Sequence, residues 1–387
     1  MKNRFTFAPS PGFMFRSREL VRMARVLGKG QSVLLVGIRN TGKTQLMKMA
    51  LTRHVASAPN ASAAYLDVST ITGLEDFYRQ LLGALPKPLL SRALQLLGSA
   101  SHMPDALMQW LRQHVDEAEG FGFSINLNDP KQLARYWEPL QAALESAVGE
   151  LDADALPLLG IDEMPFMLEN LLAHDVKVAD ITVMLAGLRK LRGIGLRMIL
   201  GGSISMENLL TLHNIPHTVL GQFWREEVPS FTLAEARQYL ARELSGRPAQ
   251  AHINVILQGL PDHLPSHLDA AVNTLMDDEA QSAADVQHLI EGQVMPNIRR
   301  SFLPQFEERL ARHYPGDELS IAEVLLDQVA RCDESGGQID ASGLPPAWRK
   351  VLAKLQYDMY LRDAPVLGHR FTLNLLRLWW RASRGMR

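Results

Sequence analysis

The sequence predicts an α/β protein: a core of parallel strands alternating with helices, then a helical stretch, then a small helix-and-hairpin module. Three observations predict it. The apolar run Ser32-Val33-Leu34-Leu35-Val36 leads into Gly37-Ile38-Arg39-Asn40-Thr41-Gly42-Lys43-Thr44 and then into a helix. This is the GxxxxGK[ST] phosphate loop in its strand–turn–helix setting, so the core is read as a P-loop NTPase. A second apolar run, Leu156-Pro157-Leu158-Leu159-Gly160-Ile161, stops abruptly at Asp162-Glu163. Beyond about Ser320, helical patterns give way to short strands around a turn, the outline of a winged helix.

Each element follows in order. Arg18–Leu27 reads as a short helix leading into the first strand. The loop after that strand turns consecutive N–H groups inward, and they and the helix N-terminus can hold polyphosphate oxygens. Gly37, Asn40, Thr41, Gly42, Lys43, Thr44 and Gln45 are therefore the candidate nucleotide-binding set. Lys43 is expected to reach the β- and γ-phosphates, and the Thr44 hydroxyl to ligate Mg²⁺. Helix Lys43–Val55 and strand Ala63–Val68 come next. Residues 74–148 then turn helical, with loop signals at Leu85-Pro86-Lys87-Pro88 and Asn126–Pro130, which reads as an insertion decorating the core.

A nucleotide-hydrolysing site needs a carboxylate at the tip of a neighbouring strand. Asp162 is the expected Mg²⁺-shell residue, and Glu163 the candidate to polarise the attacking water. Two solvated strand-end acids are the plain alternative. Val178–Leu191 reads as a helix and Leu196–Ser203 as the next strand, where Ser203 or Ser205 would bring a hydroxyl near the γ-phosphate; a simple Gly/Ser turn fits equally. A last strand is expected at about Glu226–Phe231. Thr232 and Glu235 then form a capping-box signal opening helix Leu233–Leu244. The acidic strand is thus expected to be separated from the phosphate-loop strand by another strand, the additional-strand branch of P-loop NTPases.

From about Thr232 helices dominate, with a joint at Leu244–Ala249. The terminal module reads as helix Ile321–Arg331, helix Ala347–Lys354, and short strands Tyr357–Leu361 and His369–Phe371 around the turn Asp363–Gly368. The expected boundaries are a core over 1–231, a helical segment over 232–318 and a winged helix over 319–387.

The 387 residues suffice for two or three domains, and a formal net charge of −2 gives no global field toward nucleic acid or membrane. The single cysteine, Cys332, excludes an intramolecular disulfide. No stretch approaches the ~20 apolar residues that span a bilayer, and the first residues lack a signal-peptide pattern. The expectation is a soluble cytoplasmic protein with no membrane partner.

These residues resemble the archaeal-type ATPases of the AAA+/STAND group. Phe15-Arg16-Ser17-Arg18-Glu19-Leu20 is similar to the family's entry motif beside the adenine, which implies an adenine-side role for Arg18. Gly37–Thr44 looks like its phosphate loop, and Ile161–Leu168 like its acidic strand with a following Pro. Gly259-Leu260-Pro261 is similar to the Gly-x-Pro of a helical lid whose Pro, here Pro261, touches the nucleotide base. Leu355–Leu361, Arg370-Phe371 and Leu376–Trp380 look like the winged-helix ending. The family often carries an Arg directly after a Gly on entering the last core strand. Here Gln222-Phe223-Trp224 stand between Gly221 and Arg225, a departure from the family's pattern at the residue that is the candidate for an arginine-finger or sensor role.

The resemblance implies ATP and Mg²⁺ as cofactors. The expected function is an ATP-hydrolysing switch whose nucleotide state controls a DNA or protein partner through the winged helix. The competing reading is a nucleotide-gated binding module that holds ATP as a conformational pin with little turnover. Oligomerisation stays open. Arg370, Arg377, Arg381, Arg384 and Arg387 follow the last acid, Asp363, and are the best candidates for duplex DNA phosphates. A solvated or helix-capping basic end reads the same way. His263 and His267 stand four apart, but Pro265 between them and the lack of nearby Cys argue against zinc. Trp379-Trp380 reads as core packing.

Overall fold

The computed structural model describes residues 15–57, 61–100, 137–150, 156–202, 205–219, 221–244, 249–277 and 282–386. Five parallel strands form the core sheet: β1 (Val33–Val36), β2 (Ala63–Asp67), β3 (Leu158–Asp162), β4 (Arg197–Gly201) and β5 (Trp224–Glu227). Their order is β2-β3-β4-β1-β5, so β4 stands between the acidic strand and the phosphate-loop strand. That is the additional-strand arrangement expected from the sequence.

The strands read as near-continuous apolar runs because helices cover both faces of a parallel sheet. On one face, α1 (Ser17–Gly28) and α2 (Lys43–Ser57) send Leu20, Met23, Leu46, Met47 and Leu51 against Val33, Leu35, Leu158 and Ile199. The alternate residues Leu34, Leu159, Ile161, Met198 and Leu200 face a larger cluster on the other side. It is built with α3 (Leu74–Ala84), α4 (Lys87–Ala100), α5 (Trp137–Gly149), α6 (Met164–Ala173), α7 (Val178–Gly193) and α8 (Met206–Leu212). Each fully buried Leu or Ile on these faces contributes roughly 1.5–3 kcal/mol relative to exposure. The described helices of the 74–148 segment are thus part of the core packing, pinned by Tyr78 stacked 3.9 Å from Trp137.

Two expectations for strands of the core sheet are corrected. The last core strand is Trp224–Glu227, not Glu226–Phe231: Val228 and Phe231 are buried, but in the connection to the next helix. The strand before it ends at Gly201. The capping box is present: Thr232 accepts from Glu235 N–H at 3.2 Å and opens α9 (Leu233–Glu243).

α10 (Ala249–Gly259), α11 (Pro265–Asp277), α12 (Ala283–Leu289), a π-turn at Ile290–Val294, α13 (Met295–Phe302) and α14 (Pro304–His313) follow. The terminal module is α15 (Asp317–Arg331), α16 (Trp348–Tyr357), the antiparallel hairpin β6 (Leu361–Ala364) with β7 (Gly368–Phe371), and α17 (Asn374–Ser383). The expected strand at Tyr357–Leu361 is instead the end of α16 and a turn at Met359, φ 61°. One apolar cluster runs from Phe231 through these helices to Trp380, and it takes in Ile38 of the phosphate loop. No helix among the described residues is long and apolar enough to cross a membrane.

Candidate functional site

β1 delivers its C-terminal edge to the loop, and the loop's shape explains its glycines. Gly37 has φ 154°, and a Cβ there would lie 2.7 Å from the Val228 carbonyl oxygen. Only glycine lets the connection after β5 approach so closely. Asn40 takes a left-handed φ of 73°, a conformation that L-residues other than Asn and Asp adopt at a cost. The first helical hydrogen bond of α2 runs from Leu46 N–H to Gly42 O at 2.9 Å. The N–H groups from Gly42 to Gln45 therefore precede the ladder, where an anion is favoured.

Lys43 is buried, and its ammonium donates to the carbonyls of Gly37 and Ile38, each at 2.8 Å. Burial pushes its pKa down to about 8, against the upward pull of Glu163 and then Asp162. Arg309 on α14 and Arg39 push further down, so the lysine already sits among positive charge that a polyphosphate would neutralise.

The acidic strand meets the loop at Asp162, which is 2 % exposed. The Thr44 hydroxyl donates to Asp162 Oδ2 at 2.6 Å. Since a hydroxyl has one proton and two lone pairs, this bond leaves the lone pairs of Thr44 free to ligate a cation. The Tyr65 hydroxyl donates to the same oxygen at 3.1 Å, and Glu163 N–H donates to Oδ1 at 3.1 Å. Space for the carboxylate comes from β4: a Cβ at Gly201 would lie 2.7 Å from Asp162 Oδ1. Glu163 sits in the left-handed region, φ 59°, between β3 and α6. Left-handed backbone at a non-glycine residue costs of order 1–3 kcal/mol and persists where surroundings impose it, often at functional sites. These donors and carboxylates fit Mg²⁺, a hard cation that takes oxygen ligands and keeps its waters.

The remaining sequence candidates lie as follows. Gln45 is half-buried in the first turn of α2. Ser203 lies outside the described residues, while Ser205 uses its hydroxyl to cap α8, accepting from Asn208 N–H at 3.1 Å. Arg225 is ion-paired to Glu207 at 2.7 Å and stands 5.4 Å over the Tyr357 ring. Both contacts border a cleft that also touches Gly37 and Gly202. Arg18 and Pro261 are exposed. Of the basic ending, Arg377 donates to Cys332 O and Arg381 to Ala330 O, closing the C-terminal end of α15. Arg384 pairs with Glu323 at 2.6 Å. These three fasten α17 to α15, whereas Arg370 lies on the hairpin directly opposite Arg362. Arg387 lies outside the described residues. His267 is a buried core residue set edge-on against Phe302 at 5.0 Å, and no cluster of metal-ligating residues occurs among the described residues.

Sequence reasoning missed Arg16, which is 1 % exposed. It donates to Thr41 O at 3.0 Å and to Pro229 O at 2.6 Å, and lies 5.1 Å over the Phe231 ring. It ties the phosphate loop to the chain leaving β5. Burial lowers its pKa, against Glu19. Tyr65 and Arg309 were missed as well.

No family model and no curated protein matches this chain. Among solved structures, the chain is similar to the Walker-type ATPase PABY2304 of Pyrococcus abyssi, with TM-score 0.59, 14 % identity and 95 % of each chain covered. It is also similar to the ORC2 protein of Aeropyrum pernix, solved in ADPNP–ADP complexes, with TM-score 0.53, 15 % identity and 99 % of each chain covered. The chain thus has the AAA+ P-loop ATPase fold that the motif resemblance implied.

Proposed function

We propose that this protein is an Mg²⁺-dependent ATPase of the P-loop class. The observation that carries the reading is the 2.6 Å hydrogen bond from Thr44 to Asp162, which joins the phosphate loop to the acidic strand across the sheet. Lys43 and the N–H groups of the loop and α2 would hold the phosphates; Thr44, with Asp162 through water, would hold Mg²⁺, which supplies charge neutralisation at the phosphates when bound. Glu163 would accept hydrogen bonding from the attacking water and draw its proton. Arg18 and Pro261 are assigned to the base side. Arg225, on the cleft beside Gly37, is assigned to sensing, with Glu207 and Tyr357 holding it in waiting. Ser203 keeps its assignment beside the γ-phosphate.

In this reading residues 1–231 form the ATPase core, 232–318 a lid and 319–387 a winged helix that acts on DNA or a protein. Cytoplasmic location is part of the proposal.

The test is a pair of variants. Lys43→Ala abolishes ATP binding by calorimetry, because a charge-assisted contact worth about 1.5–3 kcal/mol or more is removed. Glu163→Gln keeps ATP binding and slows single-turnover hydrolysis about 10²–10⁴-fold. Equal affinity in Lys43→Ala and wild type would overturn the site. Tight binding with no turnover in wild type, with or without DNA, would replace the ATPase by a nucleotide-gated binding module.

A further inference from the structure

Tyr65 has no role in the motifs, yet it is built into the acidic centre. β2 and β3 run parallel with Tyr65 opposite Gly160 and Asp67 opposite Asp162. Residues two apart on a strand share a face, so Tyr65 and Asp162 are diagonal neighbours on the face toward α2. Diagonal positions on paired strands stand about 7–8 Å apart, within reach of an aromatic side chain. The residue directly opposite, Gly160, has no side chain to block it. The hydroxyl thus reaches Asp162 Oδ2 at 3.1 Å, the oxygen that also accepts from Thr44 at 2.6 Å. On its other side the ring carries the Lys48 ammonium of α2, 4.5 Å from its centroid.

We propose that Tyr65 is a positioning residue for the divalent cation, acting through Asp162. A carboxylate rotates about its Cβ–Cγ bond, and a cation's water shell needs one oxygen held outward. Glu163 N–H fixes Oδ1, and Tyr65 with Thr44 fixes Oδ2. Thr44 both donates to Oδ2 and offers its lone pairs to the cation, so its position shifts with the cation, whereas Tyr65 is a donor to the same oxygen whose position the cation does not alter. Outer-shell partners of this kind change metal affinity about 10–100-fold when removed. The inference rests on the nucleotide–Mg²⁺ reading of the site and adds to it a residue that touches neither nucleotide nor cation.

Tyr65→Phe keeps the ring and its Lys48 contact and deletes only the hydroxyl. The experiment titrates Mg²⁺ into full-length protein with a fluorescent ATP analogue, comparing wild type, Tyr65→Phe and Thr44→Ala, with Mn²⁺ paramagnetic resonance as a second readout. Tyr65→Phe is expected to raise the half-saturating metal concentration about 10-fold, while nucleotide affinity in EDTA stays within twofold and thermal stability is near wild type. A structural role alone would lower stability and leave the metal titration unmoved. An unchanged metal titration in Tyr65→Phe, with Thr44→Ala strongly impaired, overturns the inference and leaves the site reading standing. An unchanged titration in both variants overturns the site reading and the inference with it.

Discussion

Arg16 gives the sharpest test of how the phosphate loop is held. Its guanidinium is nearly sealed from solvent, and Nη2 donates to two backbone carbonyls, Thr41 O at 3.0 Å and Pro229 O at 2.6 Å, with Glu19 at 3.4 Å from Nη1. Arg16→Ala would leave both carbonyls without this donor and Glu19, itself 7 % exposed, without this cation. Removing one partner of a buried charged network costs about 3–5 kcal/mol, because the remaining groups stay desolvated. That is a fifth or more of the about 5–15 kcal/mol that holds a typical domain together. Arg16→Lys delivers one point charge in place of a fork and restores one carbonyl contact, so about 1–2 kcal/mol is lost. Urea unfolding followed by circular dichroism measures the stability, and calorimetry on Arg16→Lys measures ATP affinity, expected to fall about 3–10-fold as the Thr41 carbonyl loosens. Arg18→Ala is the counterpart on the exposed face of α1, with stability within about 0.5 kcal/mol of wild type. If Arg16→Ala lost no more stability than Arg18→Ala, the loop would not be pinned from α1.

Three further predictions come from the later helices and the hairpin. Burial lowers the pKa of His267 from 6.5 to about 4. A depressed pKa means that the unfolded chain binds the proton first, so His267 contributes stability above pH 6.5 that is lost as pH falls toward 4, up to about 3 kcal/mol. Urea midpoints at pH 7 and 4.5 should therefore fall less in His267→Gln than in wild type; parallel losses would refute neutral burial as the cause. On the hairpin, Arg362 and Arg370 stand directly opposite each other, a like-charge pairing that Glu227 and Asp262 partly offset at Arg362 and that a further anion would relieve. If the anion is duplex DNA, changing both to Ala reduces the log–log salt slope of binding by up to about 2. Arg381→Ala should instead cost stability by freeing the end of α15. No mobility shift at micromolar protein and low salt removes DNA and leaves a protein partner.

What was legible in the sequence was what is local. The phosphate loop, the acidic strand and the Thr232–Glu235 capping box each place their chemistry within a few residues, and all appear where expected. β5 was misplaced because it is a sheet edge: three of its four residues are exposed, so it lacks the apolar run of the inner strands. The apolar Val228 and Phe231 that suggested a strand are buried for another reason, the packing of the connection and of the helices beyond it. Arg16 was unreadable because its partner carbonyl lies 213 residues away, and Tyr65 because its role needs the register of β2 against β3. The basic ending stayed open between two readings in the sequence. Charge counting cannot tell an arginine facing solvent from one closing a helix end, and Arg377 and Arg381 do the latter.

The contacts between the core and the later helices suggest how a nucleotide would be felt at a distance. α6 begins two residues beyond Asp162, and its Glu169 accepts from His313 at 2.5 Å and pairs with Arg312 at 3.5 Å, both on α14. α8 donates from Asn208 to the Lys354 carbonyl of α16 at 2.9 Å, and Glu207 of the same helix holds Arg225 against Tyr357. Arg309 on α14 supplies the charge link: it pushes on Lys43 and at the same time opposes the burial that raises the pKa of Asp358, which follows α16. A polyphosphate beside Lys43 would replace that repulsion with attraction, since its negative charge draws both cations. α14 carries Arg309 and also the His313 and Arg312 that grip Glu169. A pull on α14 therefore acts on both core contacts at once, and on the helices that lead to the hairpin.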